Sequence, residues 1–117
     1  MAAEQGNAMA QINLGQKYDA GKGVPQDDAE AAKWYQLAAK QGDAMAQLLL
    51  GFRYEQGKGV PQDGAEAHIW YNLSAGNGVP EAAVSRDDLG KQMSPADLSE
   101  AQRRARVCLA SNYKDCN

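Results

Sequence analysis

The chain has 117 residues, 44% of them hydrophobic, with a net charge of -3 and a pI near 5.0. That describes one small domain with a single core, and its mild acidity excludes the basic footprint that nucleic acid or an anionic membrane surface requires. No run approaches the roughly 20 apolar residues of a spanning helix, and the start Met1 to Gly6 has neither the basic nor the apolar region of a signal peptide, so a soluble chain with no membrane insertion is expected.

Taken in chain order, the elements repeat. Residues Gln5–Lys40 and Gln41–Gly76 align without a gap, with about 23 positions identical. In the first unit Ala8, Ala10, Leu14, Gly15 and Tyr18 recur at helical spacing until Gly21, Gly23 and Pro25 break the run. Asp27 with Glu30 forms a capping box for a second helix carrying Ala31, Trp34, Tyr35, Ala38 and Ala39, which ends near Gly42. The second unit repeats these signals: Asp43 opens it, Gly57, Gly59 and Pro61 interrupt it, and Asp63 with Glu66 caps a helix bearing Trp70, Tyr71 and Leu73. Pro80 starts a further helix, and Ser94-Pro95 with Asp97 starts a last one running from about Pro95 to about Ser111. The fold class is therefore all-α: an α/α superhelix of antiparallel helix pairs, with two full repeats and a degenerate capping pair. The whole chain, 1–117, is read as one domain, divided into repeats 5–40 and 41–76, a capping unit 77–111 and a tail 112–117. Small residues let paired helices approach closely, with Tyr18 and Trp34 expected as flat plugs between neighbouring pairs. Glycine inside a helix costs about 1 kcal/mol against alanine, so Gly15 and Gly51 mark positions where a neighbouring helix leaves no room for a side chain.

The run Ala-Met-Ala-Gln-x-x-Leu-Gly-x-x-Tyr, followed by Gly-x-Gly-Val and Trp-Tyr-x-x-Ala, resembles the Sel-one-like repeat, a solenoid unit of about 36 residues related to the tetratricopeptide repeat. Residues 80–106 look like the degenerate unit that closes such bacterial arrays. The resemblance implies a right-handed solenoid that binds protein or peptide in its groove and has no catalysis of its own. It also bears on Cys108 and Cys116, the only cysteines. A continuous helix would hold their Cα atoms about 12 Å apart, beyond the roughly 7 Å limit of a disulfide, so pairing needs a turn, which Asn112 can supply. Two reduced thiols remain the alternative. Secreted members of the family share this spacing, which implies an oxidised pair and a periplasmic or secreted protein.

If the first helix of each pair lines the groove, the positions that differ between units carry specificity. Met9, Ile12 and Gln16 then match Met45, Leu48 and Phe52, with Asp19 and Glu55 a turn further and Val84 and Asp88 in the third unit, giving an apolar strip with an acidic rim. Phe52, which stands where the first unit has Gln16, is the sharpest candidate.

Two other functions compete. Trp34, Tyr35, Trp70 and Tyr71 would be stacking platforms for a cell-wall glycan if exposed. Ser111 with Lys114 fits the Ser-x-x-Lys pattern of penicillin-interacting proteins, without the companion motifs of that class. His68, the one histidine, is expected on a solvent-exposed face with no catalytic partners. Two cysteines and a distant histidine are too few for a zinc site, and Gly21-Lys22-Gly23 lacks the spacing of a phosphate loop, so neither metal nor cofactor is expected. Residues Ala2–Gly6 repeat the phase of Ala38–Gly42, as though a helix body were missing before them. Self-association through an uncapped first helix follows as an expectation.

Overall fold

The computed structural model describes Ala3 and residues 6–116. Six helices make up the regular structure of the described residues: α1 (Ala8–Ala20), α2 (Asp28–Ala39), α3 (Ala44–Gln56), α4 (Gly64–Gly76), α5 (Pro80–Gly90) and α6 (Pro95–Ala110). They stack as an α/α solenoid measuring 43 × 26 × 24 Å. The expectation that Ala2–Gly6 form the last turn of an absent helix rests on residues of which Ala2, Glu4 and Gln5 lie outside the described residues.

Side-chain caps fall where a short polar residue precedes the helix, at α1 to α4 and α6, while α5 starts with Pro80 after Val79, whose side chain makes no cap hydrogen bond. Asn7 and Asp43 accept from the backbone N–H of Ala10 and Ala46 at 2.9 Å, and Asp27 and Asp63 accept from Glu30 and Glu66 at 3.1 Å. Gly21 and Gly57, both at φ 69°, end α1 and α3 in the left-handed conformation that glycine adopts without strain.

Helices α1 with α2, and α3 with α4, form two antiparallel hairpins joined by packing of α2 on α3. In each hairpin one tyrosine ring fills the place of a missing side chain. A Cβ on Gly15 would lie 2.7 Å from Tyr35 Cε1, and one on Gly51 would lie 2.7 Å from Tyr71 Cδ1. The rings that wedge the hairpins are thus Tyr35 and Tyr71, both buried, whereas Tyr18 and Trp34 are only half-buried. Of the expected plugs between pairs, Tyr18 packs against the core cluster and Trp34 is half-buried; within each hairpin it is the tyrosine after the tryptophan that meets the glycine, since adjacent residues on a helix point about 100° apart.

Polar side chains stitch the units together in register. Gln47 is fully buried, donating from Nε2 to the Ala39 carbonyl at 3.2 Å and accepting from Asn77 Nδ2 at 3.0 Å. Gln11 repeats the arrangement one unit earlier with Ala3 and Gln41, at 3.2 and 2.9 Å. Each buried amide therefore keeps partners that offset its desolvation. A charge clamp adds to the stitches. Buried Arg53 of α3 reaches back to Asp19 at 2.8 Å and Asp28 at 3.5 Å, and its guanidinium lies 5.3 Å from the Tyr35 ring centre. The Arg53 hydrogen bond is the chief reason the Asp19 carboxyl sits below the usual carboxylate range.

The closing unit departs from the hairpin pattern, since α5 and α6 both pack on α4. Beyond Ala110 the chain turns back through Asn112 (φ 56°) and Tyr113 (φ 66°) and closes the Cys108–Cys116 disulfide across a Cα separation of 4.3 Å. The Tyr113 ring then lies against Gly42, at 3.0 Å from where a Cβ would stand, and its hydroxyl accepts from Asn77 Nδ2 at 3.0 Å.

Candidate functional site

The odd-numbered helices present the expected strip, but not all of it. Met9 is 62% exposed, Met45 49% and Phe52 46%. Met45 and Phe52 are seven residues apart, two turns along the same face of α3. Gln16 is exposed beside Met9 on α1. Phe52 is open although nothing in the fold requires an aromatic there, because Gln16 occupies the same phase in the first unit.

Two strip positions, Ile12 and Leu48, behave differently from the expectation, and Val84 does not. Ile12 is buried in the same core cluster as Ala46 and Leu50 of α3, so it is not available to a partner. Leu48 is half-buried, packed against Ala67, Tyr71 and Leu89. Val84, at the corresponding phase of α5, is 62% exposed. This phase points toward the following pair, so its burial falls off along the stack, and spacing within one unit does not reveal that.

The acidic rim is largely engaged inside the fold. Asp19 pairs with Arg53 and, at 3.6 Å, with Lys58. Glu55 is half-buried and accepts from the Tyr71 hydroxyl at 2.5 Å. Burial and that hydrogen bond hold the Tyr71 phenol well above its ordinary range. Asp88 is exposed, with Lys91 at 3.9 Å.

The competing chemistries find little support in the geometry. Tyr35, Trp70 and Tyr71 are all buried and offer no face for a sugar to stack on, and Trp34 is half-buried with Lys33 5.4 Å from its ring centre. Ser111 is occupied in the tail turn, where its hydroxyl donates to the Cys108 carbonyl at 3.0 Å and accepts from the Asp115 N–H at 2.8 Å. His68 is not on a solvent face as expected: it is 3% exposed beneath α5 and α6, and burial, then the nearby Arg86 charge, push its pKa down. Among the described residues no group of three or more His, Cys, Asp or Glu side chains could hold a metal ion, and no helix is long and apolar enough to cross a membrane.

The sequence reading missed the Gln11 and Gln47 stitches and the Arg53 clamp. The first had a signal, since both units carry the same glutamine in Ala-Met-Ala-Gln. The second had none, because the first unit has Lys17 at the phase of Arg53.

Paired helices stacked through identical ring-on-glycine wedges and in-register amide stitches define an α-solenoid repeat protein. The Sel1 repeat family profile matches residues 8–43 and 44–79, and the chain belongs to that family. Both matches begin within a residue of the start of an odd-numbered helix. Among solved structures, a protective antigen present in uropathogenic Escherichia coli strains, which displays an SLR fold, superposes with a TM-score of 0.88 at 31% identity. That match covers 96% of this chain and 25% of the antigen. A Sel1 repeat protein from Oxalobacter formigenes gives a TM-score of 0.73 at 41% identity, over 74% of this chain and 65% of that one. This chain therefore spans a quarter of the first relative and under two thirds of the second. No curated protein sequence matches it significantly. Sel1 repeats generally serve as scaffolds for protein–protein interaction, and the fold is typically a non-catalytic module.

Proposed function

We propose that this chain is a protein-binding module that holds an apolar segment of a partner, a peptide or an amphipathic helix, across the exposed faces of α1 and α3 in the bacterial envelope. The observation that carries the reading is Phe52, 46% exposed, with Met45 two turns away on the same helix and Met9 on the neighbouring one. Exposed aromatic and methionine side chains supply large contact area with adaptable packing, the pattern of an interface anchor. Gln16 supplies polar contact beside the strip, and Val84 and Asp88 extend it onto α5. Placement in the envelope is supported by the Cys108–Cys116 disulfide, a bond that persists in oxidising compartments, and by the likeness to an E. coli antigen.

The experiment is a capture from envelope extract of the source organism with the wild-type chain and with Phe52→Glu as paired baits. Phe52→Glu should keep wild-type stability within about 0.5 kcal/mol, because an exposed position carries little packing. A partner held by the wild type and weakened about tenfold or more by Phe52→Glu is the expected outcome. Identical retention by both baits overturns the assignment.

A further inference from the structure

A second site lies away from that strip, in the wedge between α4, α5 and α6, where the closing unit abandons the repeat's packing chemistry. One repeat earlier, the phases of Arg86 and Gly90 are held by Leu50, fully buried, and Tyr54, packed against the core. Replacing a buried leucine by arginine and a ring by glycine removes apolar volume and introduces charge at one spot. The result is a cavity of about 410 Å³ whose polar lining is His68 and Asn72 of α4, Arg86 and Asp87 of α5, Lys91 just beyond it, and Gln102 of α6. Its size falls in the range of small-molecule sites.

The groups in this cavity are held in place and only partly used. The Arg86 guanidinium donates from Nη1 to Asn72 Oδ1 and from Nε to Asp87 Oδ1, both at 3.0 Å, which fixes its plane and leaves Nη2 without a protein acceptor among the described residues. His68 is 3% exposed; its Nε2 edge is the one beside cavity-lining Gly90, 3.7 Å from where a Cβ there would stand, while its Nδ1 is sealed from solvent with no hydrogen-bond partner among the described residues. A buried ring nitrogen left so costs about 1–3 kcal/mol, and the fold does not need it, because Ala32 fills the same phase in the first unit with a buried methyl. An oriented guanidinium, an imidazole edge and two side-chain amides around one cavity are the parts of a recognition site rather than of a core.

We propose that this cavity binds a small molecule through a single carboxylate, placed on the free edge of Arg86 with Lys91 as second cation, while His68, Asn72 and Gln102 contact its remaining polar groups. Charge selects the class. Arg86 and Lys91 against Asp87 leave one net positive charge on the lining, and the exposed Asp88 carboxylate lies 3.9 Å from Lys91 at its rim, so the site suits no more than a monoanion, whereas a phosphate dianion would be set against two carboxylates. The apolar wall supplied by Leu98, next to Gly90, suits the carbon skeleton of such a molecule.

His68, the only histidine, provides the reporter. Its imidazole carbon-bound proton signals are followed by NMR while N-acetylglycine, N-acetylglycinamide and inorganic phosphate are titrated separately into the full chain. The expected result is a saturable shift with N-acetylglycine, none with the amide, and weaker binding of phosphate. The dissociation constant for N-acetylglycine should rise about tenfold in Arg86→Gln, the value of a charge-assisted hydrogen bond lost. Lys91→Ala, on a side chain 78% exposed, should weaken binding several-fold without touching the fold, and so keeps the test decisive if Arg86→Gln unfolds. Equal shifts with acid and amide, no saturation by roughly 100 mM, or tighter binding of phosphate would each overturn the proposal.

Discussion

The two repeats are the same device set in different surroundings. Each wedges a tyrosine against a helical glycine at 2.7 Å, and each begins with the same kind of side-chain cap. Around the wedge they diverge. The first ring, Tyr35, lies by the Arg53 cation of the next unit, while the second, Tyr71, donates its hydroxyl to Glu55 of its own. The inter-helix loops diverge in the same way. Gly23 and Gly59 have similar positive φ, 76° and 82°, yet a Cβ on Gly23 would meet open space and one on Gly59 would stand 2.1 Å from the Asp28 carbonyl oxygen. What is shared between the units thus packs each hairpin and sets the amide stitch to its neighbour, while what differs reports which neighbour each one has.

The largest test of that contrast substitutes the two loop glycines. Gly23→Ala should cost about 1 kcal/mol, the strain of a left-handed alanine, and Gly59→Ala about 3 kcal/mol, because backbone must also move. Urea midpoints measure both, and equal costs would mean that the second loop does not seat on α2.

Next in size is the clamp. Arg53→Met should lower stability at neutral pH by roughly 1–2 kcal/mol, discounted because the Asp19 side chain is a third exposed. The Asp19 pKa is depressed below 3.8 on folding, so the pair's contribution is full above that pH and is lost as pH falls through the lower folded value. Wild type should therefore lose stability in acid more steeply than Arg53→Met. Parallel acid limbs in the two proteins would exclude the pair as the cause.

The smallest effect is expected at the second ring. Tyr71→Phe keeps the wedge on Gly51 and removes one hydrogen bond to Glu55, a cost of about 1 kcal/mol. A loss of several kcal/mol would instead show that the hydroxyl, not the ring, holds the hairpin.

Much of the frame was legible because it is local. Helix limits follow from Asp43, Asp63, Gly57 and Pro80, and the close approach at Gly15 and Gly51 follows from finding glycine in mid-helix. Duplication also exposed Phe52, by comparison with Gln16. What depended on neighbours was not legible. Whether Trp34 or Tyr35 enters the core is a question of helix rotation, and Ile12, Leu48 and Val84 share a phase yet differ in exposure because different elements lie over them. His68 looked like a surface residue because a polar side chain opposite Ala32 gives no hint of the helices that later cover it.

Two nearly identical units in one chain invite a particular error, in which a hairpin pairs with the corresponding hairpin of another molecule or stacks in the wrong order. Tyr113 bears on that error. Its ring rests on Gly42 while its hydroxyl takes a hydrogen bond from Asn77, so one side chain touches the turn that closes each repeat. With the hairpins in this order both turns lie within its reach. The disulfide-closed tail, made after both units, therefore spans the two turns and favours the stacking order that brings them together.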